Sequence, residues 1–216
     1  WRNRVDKGTK MITPNETLNN FYKAHITHML ITDNREVGSE RYASRVGTFP
    51  YESYLNESCM CISDFSRRNY KKEAEERFDM IIHYQGSRAL PGNYTDKDGV
   101  FYGAGGYTEG NGYNQHHGWV LWGLAEHYLY YRDKEWLRRV APSIVKACNW
   151  IIRQRQHTMK YGESGEKVLE YGFLPAGSLE DVHEYKYWQA TNSYTYLGFN
   201  NAVRALSDIN HPEAQR

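Results

Sequence analysis

The chain has 216 residues, with 27 Lys and Arg against 26 Asp and Glu, a formal net charge of +1. That balance gives no electrostatic reason to expect nucleic acid or an anionic membrane as partner, and no apolar run is long enough for a membrane span. With 19 Tyr, 6 Trp and 7 Phe there is ample surface to bury, so disorder is excluded as the main state, and the length fits one domain over residues 1–216.

The first predicted helix starts at Thr13-Pro14-Asn15-Glu16, where Thr13 caps, Pro14 takes the first helical position and Glu16 completes a capping box. Leu18, Phe21, Tyr22, His25, Ile26 and Met29 then recur at steps of three and four and predict one apolar face, ending near Ile31. Residues 32–50 have no periodicity and read as loop. A second helix is predicted over about 54–66, with Leu55, Cys59, Ile62 and Phe65 inward. A third covers about 70–84, with Tyr70, Ala74, Phe78 and Ile81 as its stripe and Lys71, Lys72, Glu73, Glu75 and Glu76 as a solvated face.

Residues 85–118 form a long loop rich in Gly, Asn and Tyr, and loops of that length inside a domain tend to be functional. Its Gly pattern is no phosphate cradle, because no Lys-Ser/Thr pair follows and no strand precedes it. The fourth helix, about 117–131, is apolar nearly all round (Trp119, Val120, Leu121, Trp122, Leu124, Ala125, Tyr128, Leu129) and is therefore expected to be buried on most sides. Asp133 caps a fifth helix, in which Pro142 predicts a kink or restart. A second long loop spans 158–185. The sixth helix, about 187–206, is expected to turn Trp188, Tyr194, Leu197 and Ala202 inward. No strand is predicted.

The fold class expected is thus all-α, built of antiparallel αα-hairpins, with the long loops of one edge converging on one face to build a cleft. Three cysteines, Cys59, Cys61 and Cys148, read as buried thiols rather than a disulfide framework. Sequons at Asn15, Asn56 and Asn93 are a pattern common by chance and leave the compartment open. The chain opens at Trp1 and stops just after a helical run, which reads as an excerpt from a longer protein.

Loop aromatics stand out: Tyr102, Tyr107, Tyr113, Tyr161, Tyr171, Tyr185 and Tyr187. Flat rings beside Asn, Gln, Asp and Glu suit sugars, since a ring stacks on the apolar CH face while polar groups take the hydroxyls. Two acid clusters lie at loop-to-helix junctions. One is Tyr51-Glu52-Ser53-Tyr54 with Asn56-Glu57. The other, residues 180–188, packs Glu180, Asp181 and Glu184 with His183, Tyr185, Tyr187 and Trp188. Acids capping a first turn would account for either cluster. In the second, mutual repulsion and desolvation by the rings are expected to raise a carboxyl pKa and favour a general acid. Adjacent His116 and His117 point to different sides and are not expected to share a metal ion; neither a metal nor a cofactor is expected. No Gly-x-Ser-x-Gly elbow is present to anchor an esterase.

The run Gly172-Phe173-Leu174-Pro175-Ala176-Gly177-Ser178-Leu179-Glu180-Asp181, followed by Trp188, Asn192, Tyr194 to Tyr196 and Gly198-Phe199, resembles the six-hairpin glycosidase superfamily. So do Gly47 to Tyr54 with the helix after it, and Trp150 to Arg155. Those are the (α/α)6-barrel enzymes, including glucoamylases, trehalases, processing α-glucosidases, glycogen-debranching glucosidases and α-L-rhamnosidases. The resemblance implies that the chain is the first half of a twelve-helix toroid, with the other half in the parent chain. It also implies that the general acid is Glu180, or next Asp181, and that the general base lies beyond Arg216. Hydrolysis would be inverting, with an oligosaccharide or glycoside as substrate. Tyr51, Glu52, Gln115, His116, Trp119, Tyr187, Trp188 and Asn192 are the residues expected to bind it. Two alternatives stay open. A polysaccharide lyase or sugar epimerase would use His116, His117, His183 or a Tyr as base, although residues 88–117 and 158–188 together hold only five Lys and Arg. A non-catalytic carbohydrate-binding scaffold would need neither loop acid.

Overall fold

The computed structural model describes residues 1–47, 53–102 and 114–215. In chain order these form α1 (Arg2–Val5), α2 (Glu16–Thr32), β1 (Asn34–Arg35), β2 (Tyr42–Ala43), α3 (Leu55–Arg67), α4 (Lys71–His83), α5 (His116–Tyr131), α6 (Lys134–Gln156), β3 (Gly177–Leu179), β4 (Val182–Lys186) and α7 (Gln189–Asp208), with a closing 3-10 turn over Pro212–Gln215. The architecture is mostly helical, as the periodicity requires.

Alternate helices lie side by side. α5 packs against α3 on one flank and, most extensively, against α7 on the other, while α4 backs α3 and α6 backs α5 and α7. The core between the layers is apolar: Leu55, Ile62 and Phe65 of α3, Phe78 and Ile81 of α4, Leu121 and Leu124 of α5, Leu137 and Ile144 of α6, and Ala202 and Leu206 of α7. The nearly all-apolar α5 occupies the middle, where such a helix belongs.

Two glycines let α5 and α7 approach. A Cβ at Gly198 would stand 2.2 Å from the Gly118 carbonyl oxygen, and one at Gly118 would stand 2.5 Å from the Tyr194 carbonyl. The buried face of α7 is accordingly mostly small, with Thr191, Thr195, Gly198, Ala202 and Ala205 beside Asn201 and Leu206. Leu197, expected inward, is exposed, and Tyr194 is half-buried. On α2, Ile26 and Met29 are buried as expected, but Leu18 and Phe21 are exposed, because only the C-terminal half of that helix meets the core.

The acid-rich start of α4 is not a solvated face. Glu73 is 4% exposed and Arg77 1%; only Lys72 of the expected face is fully exposed. Lys7 reaches Glu73 from the N-terminal segment, and Arg77 Nε donates to Asp33 Oδ2 at 2.9 Å, just beyond α2. The Arg77 guanidinium also lies over the rings of Phe65 and Tyr42, at 4.7 and 4.9 Å from their centroids. These long-range partners turn a charged stripe into a buried joint.

Helix ends follow their local chemistry. Asp133 caps α6, its Oδ1 accepting from the Glu135 and Trp136 amides at 3.0 Å. α2 is capped by Asn15, which accepts from Leu18 N at 3.1 Å, and not by Thr13, which exchanges hydrogen bonds with Asn19 instead. Pro142 neither ends nor restarts α6, which runs unbroken to Gln156. Cys59 and Cys148 are buried and Cys61 half-buried; all three are free thiols.

The expectation of no strand is corrected. β1 pairs with β2, and β3 pairs with β4 with Leu179 opposite Val182. The two residues between the paired positions, Glu180 and Asp181, are therefore the tip of a hairpin, with Glu180 at φ +50°. No helix among the described residues is long and apolar enough to cross a membrane.

Candidate functional site

The N-terminal ends of α3, α5 and α7 gather at one end of the helix layer, and side chains link them. Asn56, in the first turn of α3, accepts from His116 Nε2 at 3.0 Å; an amide oxygen only accepts, so Nε2 carries the proton. Gln115, the N-cap residue of α5, donates from Nε2 to Glu180 Oε1 at 3.3 Å. The indole N–H of Trp188, at the start of α7, donates to the Gly177 carbonyl at 2.8 Å and so ties the helix to β3.

The stretch around residue 92 braces this end. Ser178 N and Asn114 Nδ2 both donate to the Pro91 carbonyl, at 3.1 and 3.0 Å, and Asn93 N donates to Ala176 O at 2.8 Å. Gly92 and Gly177 permit the close approach, since a Cβ at Gly177 would stand 2.1 Å from Asn114 Nδ2. Gln115 is thereby fixed in a buried position, 1% exposed, and among the described residues its Oε1 has no hydrogen-bond partner.

The expected site residues divide by position. Gln115, His116 and Glu180 come together here. Asp181 is exposed beside Glu180 at the hairpin tip. Asn192 is committed to backbone: its Oδ1 accepts from Leu174 N and its Nδ2 donates to Trp188 O, both at 2.9 Å. Trp188 is half-buried with Lys186 Nζ 5.7 Å from its ring centroid, and Tyr187 is exposed. Trp119 points elsewhere along the layer. It stacks with Tyr194 at 4.8 Å and, with Met60, Arg67, Trp122 and Leu197, lines a cavity of about 300 Å³. Tyr51 and Glu52 lie outside the described residues, as do Tyr107 and Tyr113.

Crowding of acids in 180–188 does not desolvate them. Residues 180–187 are all exposed, and strand alternation sends neighbours to opposite sides. Lys186 pairs with Glu184 and holds its carboxyl below the usual range. Tyr102, expected as an exposed loop ring, is buried against His116, with ring centroids 5.8 Å apart. Asn56 and Asn114 were not among the expected binding residues; their place at loop-to-helix junctions was the available signal.

The two adjacent histidines do point apart. His117 Nδ1 accepts from Phe101 N at 3.1 Å and its Nε2–H donates to Ala147 O at 3.2 Å, so both nitrogens are occupied by backbone and neither can act as a base. Burial pushes His117 down to about 4 and His116 down to about 3, so both are neutral at pH 7. Among the described residues no three His, Cys, Asp or Glu come together to hold a metal ion.

A Ser–His–Glu row elsewhere is structural. Ser66 Oγ donates to Ile62 O at 3.0 Å, so it accepts from His127 Nδ1–H at 2.9 Å, while His127 Nε2 lies 3.5 Å from Glu75 Oε1. The hydroxyl proton is directed away from the imidazole, and both residues are buried. A nucleophile needs the reverse polarity and access.

Comparison with protein-family models, with curated proteins and with solved structures found no match for the chain.

Proposed function

We propose that the chain is the first six-helix half of an (α/α)6 toroid in a glycoside hydrolase, with α2 to α7 as the six helices and Glu180 as general acid. The observation that carries the reading is the meeting of Gln115 and Glu180 across the ends of α5 and β3. It joins a buried amide to an exposed carboxyl at the end where three helix N-termini and the resemblance-bearing run 172–181 converge. The side-by-side order of α3, α5 and α7, with α4 and α6 behind, supports the double-layered toroid.

In this reading Glu180, accessible at its hairpin tip, gives a proton to the leaving glycosidic oxygen. Gln115 fixes Oε1 of that carboxyl through its Nε2–H, which leaves Oε2 as the proton-carrying oxygen. Inverting hydrolysis then needs a second carboxylate roughly 6.5–9.5 Å away to activate water on the opposite ring face; that base is contributed by the other half of the toroid. The occupied nitrogens of His117 argue against its serving as a lyase or epimerase base.

The test is Glu180→Gln in the full-length protein. Turnover of a glycoside should fall by at least 10²-fold, the usual weight of a positioned general acid, with an unchanged melting temperature. Wild-type turnover in this variant would remove Glu180 from the mechanism.

A further inference from the structure

A cavity of about 400 Å³ opens between the C-terminal end of α6, the 172–174 turn and the first two turns of α7. Its lining includes neither Gln115, His116 nor Glu180. Such a volume lies in the usual range for small-ligand sites.

The charge of the lining is one-sided. Arg155 is its single ionisable cation, and no Asp or Glu lines it among the described residues. Arg155 Nε donates to the Gly172 carbonyl at 2.6 Å, which fixes the guanidinium plane. Among the described residues, neither terminal nitrogen of Arg155 has an ion-pair or hydrogen-bond partner. This differs from Arg153, two residues earlier, which is engaged by Asp96 at 2.9 Å. A held guanidinium with its outer fork unused matches a carboxylate in bidentate geometry.

The rest of the lining fits a hydroxylated ring. Gln189 Nε2 donates to Ser193 Oγ at 3.1 Å, so the Ser193 hydroxyl can still donate and Gln189 Oε1 can still accept. Phe173 and Tyr196 supply flat apolar surface, and Tyr196 is 73% exposed. The first turn of α7 adds the positive end of a 20-residue helix.

We infer that this cavity is a binding site for a carboxylate-bearing sugar, a hexuronate, whose carboxylate meets the Arg155 fork while its hydroxyls meet Gln189 and Ser193 and its ring face meets Tyr196. The site does not depend on hydrolysis at Glu180. The ligand arrives either as a free uronic acid or as a residue of an acidic polysaccharide.

Calorimetric or NMR titration of the full-length protein with D-glucuronate, a glucuronate trisaccharide and neutral D-glucose tests it. At least one uronate should bind at least tenfold more tightly than glucose. A trisaccharide at least tenfold tighter than the monosaccharide identifies a polysaccharide source, and equal affinity identifies the free acid. Arg155→Gln should weaken uronate binding at least tenfold. Tyr196→Ala, which removes an exposed ring and spares the fold, should weaken both uronate and any glucose binding severalfold. No uronate binding to the wild-type protein, glucose binding as well as uronate, or unchanged uronate affinity in Arg155→Gln would overturn the inference.

Discussion

Replacing Gly198 by Ala sets two opposite effects against each other. In a helix interior Ala is favoured over Gly by about 1 kcal/mol, so local propensity alone predicts a more stable protein. The added Cβ, however, would stand 2.2 Å from the Gly118 carbonyl oxygen and 3.0 Å from Leu121 Cβ, where ordinary contact begins at 3.4 Å. The obstructing atom is backbone on the facing helix, so no rotamer change relieves it. α5 and α7 must part by about an ångström along the longest seam in the fold. Overpacking of this kind costs roughly 1–3 kcal/mol, which less the propensity gain leaves about 0–2 kcal/mol, and the loosened seam adds to it, so the net effect is destabilisation. Gly118→Ala strikes the same seam, 2.5 Å from the Tyr194 carbonyl. Once the helices have parted, the second Cβ finds room, so the double variant should lose less than the sum of the singles. Urea unfolding followed by far-UV circular dichroism and Trp fluorescence gives both quantities. A Gly198→Ala protein as stable as the wild type, or more stable, would refute the close-packed seam.

Other expectations concern buried charge and protonation. His117 takes up a proton in the unfolded chain below about pH 6.5 but in the folded chain only near pH 4, so its contribution is intact above 6.5 and is lost as pH falls to 4. The loss runs at about 1.4 kcal/mol per pH unit, ~3 kcal/mol in all. His117→Asn should be less stable at pH 7 yet flatter between pH 6.5 and 4; equal slopes in urea-midpoint titrations would sink the assignment. Removing one partner of the buried Arg77–Asp33 pair, as in Arg77→Met, should cost about 3–5 kcal/mol because a carboxylate is stranded. Arg77→Met with Asp33→Leu should regain most of that, and thermal melts in which the double variant is no better than the single would count against it. Gln115→Leu should preserve the fold while lowering kcat for a glycoside severalfold, since it frees the Glu180 carboxyl; an unchanged kcat would deny it a positioning role.

What the sequence disclosed was the part set by local periodicity. The stripes of α3 and α4, the all-apolar α5 and the Asp133 cap all follow from spacing and residue type. Distant partners were not legible. Glu73 looks solvated until Lys7 is folded onto it, and the pairing of Arg77 with Asp33 across 44 positions has no local signal. Of the inner face of α7 only Ala202 was anticipated, because Thr, Gly and Ala make no apolar stripe, and the seam depends on their smallness. The β3–β4 hairpin was hidden because Glu180-Asp181 lacks the Gly or Asn that usually announces a tight turn. At the candidate site the residue types were visible, but the pairing of Gln115 with Glu180, 65 positions apart, exists only in three dimensions.

The most direct measurement is hydrolysis by the full-length protein of a panel of aryl glycosides and oligosaccharides, with the first-released anomer read by NMR before mutarotation. The account predicts release of a sugar of inverted configuration, abolished by Glu180→Gln. Release with retained configuration would contradict the inverting mechanism, and no release from any substrate would contradict the assignment as a glycoside hydrolase.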